Sequence, residues 1–387
     1  MKIAPLQLFF LFSILTSCVE KSLPSLEIVK ETEFSWSDKE QCHVVYVNDD
    51  STQKISARIK LRGGMSSRYE KHSYSLELDT KFALGNLPMD DDWIVNANYI
   101  DKTFMRHKIS YDLFTQMAAM NRAPKSAYIN LSVNGEYAGL YVLMQKINAN
   151  TLGLDKTDSL AMLFKDPPVF YKDKLDNVQD SLNYYQQKFP KIRKQDKTDY
   201  IEQFKSFLFY SDDDLFSKEI QQWVDIENII DWHILLLFSN NGDGIMKNFY
   251  LYKMDAKTPF RIGIWDYDHS FGRDGDNELN WGEKELNWER CILLKRLAEV
   301  QNLAYTQQLK KRWFELRSQN IITLENFKAH IEKNNTIIRK EVDRNFDRWP
   351  VDNAWYFDNQ NYLQEIQLMI DFVEKRLPKL DSYINSL

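Results

Sequence analysis

Alternation of apolar and polar residues dominates the first third of the chain. Ile55, Ala57, Ile59 and Leu61 alternate with Lys54, Ser56, Arg58 and Lys60, which predicts a strand with one buried face. Tyr74, Leu76 and Leu78 resume the alternation beyond an Arg-Gly-Gly-Met-Ser-Ser-Arg loop, and residues 91–98 predict a further short strand. Over residues 127–147 two alternating runs meet at Asn134-Gly135, a dipeptide suited to a type I′ hairpin. Residues 101–120 carry a helical period instead, with Asp101 as N-cap and Phe104, Ile109, Leu113, Met117 and Met120 on the apolar side.

The pattern then changes. Residues 148–200 are charged, contain Pro167, Pro168 and Pro190, and sustain no period, so they read as an insertion with short helices. Residues 225–240 restore order: Asp225 can cap a helix whose wide apolar face holds Ile226, Ile229, Ile230, Ile234 and Leu237. Two strands follow, over 248–254 and 260–268, and from about residue 288 the chain reads as helix to its end. No internal repeat is visible. The class is α+β, with a β-rich N-terminal lobe (about 41–147) and a mostly helical C-terminal lobe (148–387).

Composition and the first residues narrow the class of protein. Hydrophobic residues make up 43% and aromatic residues 14%, which suits a folded globule. A net charge of -6 gives no reason to expect a nucleic-acid partner. Residues 1–18 carry one early lysine, an apolar run and the ending Leu-Thr-Ser-Cys, which resembles the lipobox of bacterial lipoproteins with Cys18 as the lipidated residue. An exported cell-envelope protein is expected, held to the membrane only through that lipid, with residues 19–40 as a polar linker. No later run reaches the roughly 18 apolar residues of a membrane span. Cys42 and Cys291 support no disulfide assignment.

The residues that can do chemistry fall in four places. Asp243 and Asn248 have the D-x-x-x-x-N spacing of the protein-kinase catalytic loop, where the Asp orients the attacking hydroxyl and the Asn holds a metal ion. Asp266 and Asp268 leave an apolar strand together, as hard oxygen ligands for Mg²⁺ or Mn²⁺ do, with Phe271-Gly272 just after. Arg62, Gly63, Gly64, Ser66 and Ser67 form a loop whose backbone and hydroxyl groups can cover phosphates. Lys71 opens the next strand, where a kinase lysine would reach those phosphates. No G-x-x-x-x-G-K-[ST] is present, which excludes a P-loop NTPase. The order of these features is that of a two-lobed kinase.

Five segments carry a more specific resemblance: "RGGMSSRYEKHSYSLEL", "DDWIVNANYIDKTFMRHKISYDL", "NGEYAGLYVLMQKI", "NNGDGIMKNFYLYK" and "IGIWDYDHSFG". Together they resemble the CotH family of atypical protein kinases, named for a spore-coat protein. The resemblance implies ATP- and divalent-metal-dependent phosphorylation of protein Ser or Thr by a monomer, over residues 41–387. It places Asp243 in the catalytic loop, Asp266 first in the W-D-x-D metal motif, Lys71 among the family's paired lysines, and Gln145 and Lys146 at its E-K-I. Three positions depart from the family pattern: His72 stands for a lysine, Gln145 for a glutamate and His107 for an asparagine. Other readings stay open at this point. The D-x-D could serve a metal-dependent phosphatase or a nucleotide-sugar transferase, and the chain could be an inactive, surface-exposed binding lipoprotein.

Overall fold

The structure, a computed structural model, describes residues 22–48, 51–171, 183–273, 285–351 and 360–387. Cys18 and the leader segment lie outside the described residues. The N-terminal half is built from β1 (Ser25–Val29), β2 (Glu40–Asn48), β3 (Ser51–Arg62), β4 (Ser73–Phe82), β5 (Asp90–Asn96), α1 (Arg106–Met117), β6 (Ser126–Val133) and β7 (Glu136–Gln145). Its strands close a barrel in the order β1-β2-β3-β4-β5-β7-β6. Closure comes from β1, which pairs antiparallel with β2 and parallel with β6. Asn134 and Gly135 both have positive φ, 50° and 84°, at the hairpin joining β6 to β7. The predicted alternation holds in β3, where Ile55, Ala57, Ile59 and Leu61 are buried with Leu26, Ile28 and Val44 in the barrel interior.

Two expectations fail here for physical reasons. The segment read as a linker contributes β1 to the barrel. Only Leu26 and Ile28 of that five-residue strand point inward, too few for a period to show, and its stability comes from distant partners in β2 and β6. Asp101 does not cap α1, which starts at Arg106. Asp101 accepts instead from the Thr103 and Arg106 backbone N–H groups and pairs at 2.8 Å with the buried Arg106 guanidinium. A buried arginine requires a counter-ion, and the one carboxylate serves both the guanidinium and the first N–H of the helix from outside the N-cap position.

The C-terminal half contains β8 (Met162–Lys165), β9 (Gln187–Phe189), α2 (Thr198–Tyr210), α3 (Asp213–Trp223), α4 (Ile226–Ser239), α5 (Asp243–Met246), β10 (Phe249–Lys253) and β11 (Arg261–Ile264). It ends with α6 (Ile292–Glu299), α7 (Tyr305–Ser318), α8 (Leu324–Arg348) and α9 (Tyr362–Ser386). A second sheet has the order β11-β10-β8-β9, so the segment read as an insertion supplies two of its strands. β8 is short and nearly all apolar, a pattern without alternation that composition alone does not separate from a loop. The helix α4 is buried from Asn228 to Ser239 and capped by the Asp225 side chain, which accepts from Asn228 N–H at 3.1 Å. It runs through the core and delivers the chain to the functional loop. Cys42 and Cys291 are buried free thiols.

Candidate functional site

α4 ends at Asn240 in the left-handed region (φ 56°), and the chain then turns sharply. Asn241 Oδ1 accepts from Gly244 N–H at 3.0 Å, tightening that turn. A side chain at position 244 would bring its Cβ within 2.7 Å of Leu236 Cδ2, so glycine lets the loop lie flat on α4. Asp243 thereby sits at the start of the single turn α5. Asn248 follows with φ 63° and donates from Nδ2 to the Asp266 carbonyl at 3.0 Å, leaving its Oδ1 as the amide's acceptor. The two halves of the sequence motif are thus joined by a hydrogen bond.

These groups face a polar cleft of about 1040 Å³. Asp243, Lys247, Asn248, Asp266, Asp268 and His269 line its helical side. Arg62, Gly63, Gly64 and Ser66 line the barrel side. Gly63 has φ 150°, and a Cβ there would stand 2.6 Å from Ser66 Oγ, so the loop closes on itself only with glycine. Ser67 is not at the cleft; its hydroxyl donates to the Gly64 carbonyl at 2.7 Å.

Charge is concentrated on the helical side. Lys247 Nζ lies 3.0 Å from Asp243 Oδ2, and His269 Nδ1 lies 3.4 Å from the same oxygen. His269 Nε2 is 3.9 Å from Asp268 Oδ1, so its ring bridges the two carboxylates. Burial works against a charged ring, but Asp268 and Asp243 outweigh it and push His269 up to about 9. Burial would likewise raise Asp243, yet His269 and Lys247 hold it below the usual carboxylate value. Asp266 and Asp268 part company. Burial and then the charge of Asp268 raise Asp266, while His269 overcomes burial to lower Asp268. Asp266 keeps about half of its side chain exposed, which makes the Asp268 charge the more telling cause. His107, Asp266 and Asp268 each bring one ligand-type atom within 4.8 Å of the others, a group able to hold a divalent ion.

Three side chains of α1 hold the acidic turn in place. Arg106 Nε donates to the Ser270 carbonyl at 2.9 Å and its guanidinium pairs with Asp101 and Glu365. The Tyr267 backbone N–H donates to His107 Nδ1 at 2.8 Å, and the Asp266 N–H donates to Tyr111 Oη at 3.0 Å. Asp266, with φ 58°, is thereby fixed in a left-handed conformation that costs free energy for an aspartate. Phe271, just beyond, is buried against Phe238, Phe327 and Phe372.

Several positions expected at the nucleotide make their hydrogen bonds to the protein itself. Lys71 borders the cleft but is buried, and its ammonium donates to the carbonyls of Ala97 (2.8 Å) and Leu140 (2.5 Å) and to Asn345 Oδ1 (2.9 Å). Its three N–H groups are committed to protein, and complete burial lowers its pKa well below the ordinary lysine value. Through Asn345 it ties the barrel to α8. Gln145 is buried at the end of β7 and donates to Asp90 Oδ2 at 3.3 Å. Lys146 pairs with Asp92 at 3.3 Å. Neither lines the cleft. Conversely, sequence reasoning missed Lys247, His269 and the positioning side of α1. The first two sit inside the motifs already singled out, and His107 was visible only as a departure from a family pattern.

With this geometry in place, comparison with known proteins is decisive. The family model described as "CotH kinase protein" matches residues 59–380, well over half of the chain. The chain belongs to the CotH kinase family. It is 24% identical over 256 residues to the inner spore coat protein H of Bacillus subtilis (strain 168), covering 62% of this chain. It spans 64% of that protein's length. It is also similar to the Helicobacter pylori proinflammatory kinase CtkA, at 9% identity over 81% of this chain and 93% of that one. The TM-score of 0.32 is too low for that likeness to carry an argument about fold. Membership implies, at the level of the family, kinase-type transfer with ATP and a divalent metal. Among the described residues, no helix is long and apolar enough to cross a membrane.

Proposed function

We propose that this chain transfers the γ-phosphoryl group of ATP to Ser or Thr hydroxyls of a protein acceptor, at the cleft between the barrel and the helical half. The observation that carries this reading is the convergence of Asp243, Asn248, Asp266 and Asp268 on one polar cleft in a member of the CotH kinase family. In the reaction the acceptor oxygen forms a bond to phosphorus as the bond to the ADP oxygen breaks, and the hydroxyl proton passes to Asp243. Asp243 also orients the hydroxyl, while Lys247 and His269 set its charge and keep it ionised. Asp266, Asp268 and Asn248 would hold a divalent ion, Mg²⁺ or Mn²⁺, whose chemistry is to neutralise phosphate oxygens. The Gly63–Ser66 loop and Arg62 cover the phosphates from the barrel side.

Barrel and helical half stand as the two lobes of a kinase-like arrangement in this reading, working as a monomer. Cys18 anchors the chain in the cell envelope, a placement in keeping with its similarity to a spore-coat protein. ATP with Mg²⁺ or Mn²⁺ should raise the melting temperature by mass action, and nucleotide sugars should not. A rise with nucleotide sugars and none with ATP would turn the assignment to a transferase of another class.

A further inference from the structure

His107 shares a cluster with two carboxylates and, by position alone, passes for a third metal ligand. Its hydrogen bonds say otherwise. The Tyr267 backbone N–H, which can only donate, points at His107 Nδ1 from 2.8 Å. An Nδ1 that accepts carries no hydrogen, so the ring proton sits on Nε2. Turning the ring over would set a C–H against the amide and lose the bond. Nε2 is the atom that faces Asp266 Oδ1, 3.6 Å away, and a nitrogen bearing a hydrogen has no lone pair for a metal. The ring is 2% exposed and packs 5.8 Å from the Tyr111 ring, so it has no room to turn elsewhere.

We propose that His107 is a positioning residue which turns its Nε2–H toward the Asp266 carboxylate, 3.6 Å away, and leaves the metal site with oxygen ligands only. This deepens the kinase reading and rests on it. His107 then acts twice on one turn: it takes the N–H of Tyr267 through Nδ1 and aims the Asp266 carboxylate through Nε2. An asparagine offers the same pair of functions, an acceptor oxygen and a donor N–H on one short side chain. An all-oxygen donor set favours hard ions such as Mg²⁺ and Mn²⁺ over ions that seek imidazole.

The test uses the purified full chain with Mn²⁺ alone, so that no adenine nitrogen confuses the signal. Electron spin-echo spectroscopy of the bound ion should show no directly coordinated nitrogen. His107→Leu should weaken Mn²⁺ binding by about 10- to 100-fold, the usual effect of losing a partner that orients a metal ligand. His107→Asn should restore it to within a few-fold and keeps the experiment decisive if the leucine variant does not fold. A directly bound nitrogen in the wild-type spectrum, or unchanged affinity in a folded His107→Leu, overturns the proposal. If no Mn²⁺ binds with or without ATP, the kinase reading fails with it; if Mn²⁺ binds through nitrogen, only the role of His107 falls.

Discussion

On the barrel side, Lys71 at the cleft donates to three acceptors of the protein itself, and Gln145 and Lys146, outside the cleft lining, are paired with Asp90 and Asp92. On the helical side, Asp243, Asp266 and Asp268 hold like charges close together, with the cations Lys247 and His269 set against them. The barrel groups stabilise the fold, since each has its partner. The helical groups are arranged at a cost to the fold, with Asp266 held in left-handed backbone by α1. Such a cost is typical of functional sites. These barrel side chains therefore hold the frame behind the Gly63–Ser66 loop and Arg62, and the helical wall gathers the carboxylates.

That division breaks most visibly at Lys71. Lys71→Met keeps the side chain's length but removes all three donors. Asn345 Oδ1 keeps the Leu140 N–H, so at about 1–3 kcal/mol for each of the two carbonyls left without the ammonium, stability should fall by about 2 kcal/mol or more. Chemical denaturation checks this, and the melting temperature of the variant should still rise with ATP and metal. A variant of normal stability that no longer responds to ATP would move Lys71 to the phosphates.

Asp243→Asn probes the opposite wall. Asparagine tolerates the same turn, so the fold and ATP-dependent stabilisation should persist. Phosphoryl transfer should fall by about a hundredfold or more, the scale of a lost acid/base group. An unchanged rate in steady-state assays would remove Asp243 from the mechanism.

The smallest change is expected at Lys146→Ala. Its side chain is more than a third exposed in the ion pair with Asp92, so its loss should cost only about 0.2–1 kcal/mol by denaturant titration. ATP affinity, read by calorimetry, should stay as it was. A marked loss of affinity would extend the nucleotide site along β7.

The helical wall was legible in the sequence because its signals are local. Asp243 and Asn248 sit in one turn, and Asp266 and Asp268 leave one strand, so spacing alone exposes them. The partners of the barrel side chains were not legible because their logic is not local. A lysine after a glycine loop looks alike whether it meets phosphate or Asn345, which lies 274 residues later in α8. Strand β1 was hidden for the same reason, since its partners in β6 lie about a hundred residues away. His107 drew notice only as an unusual residue; its role depends on the tautomer fixed by Tyr267, which no sequence pattern records.

The most direct test incubates the full chain with γ-labelled ATP and Mg²⁺ or Mn²⁺, and reads phosphate on its own Ser and Thr residues and on added protein by mass spectrometry. Asp266→Asn serves as the control that removes a metal-holding carboxylate. The account predicts labelled Ser or Thr with the wild-type chain and none above background with Asp266→Asn. Labelling that is equal in the two proteins, or no labelling and no ATP-dependent stabilisation in the wild type, would contradict it.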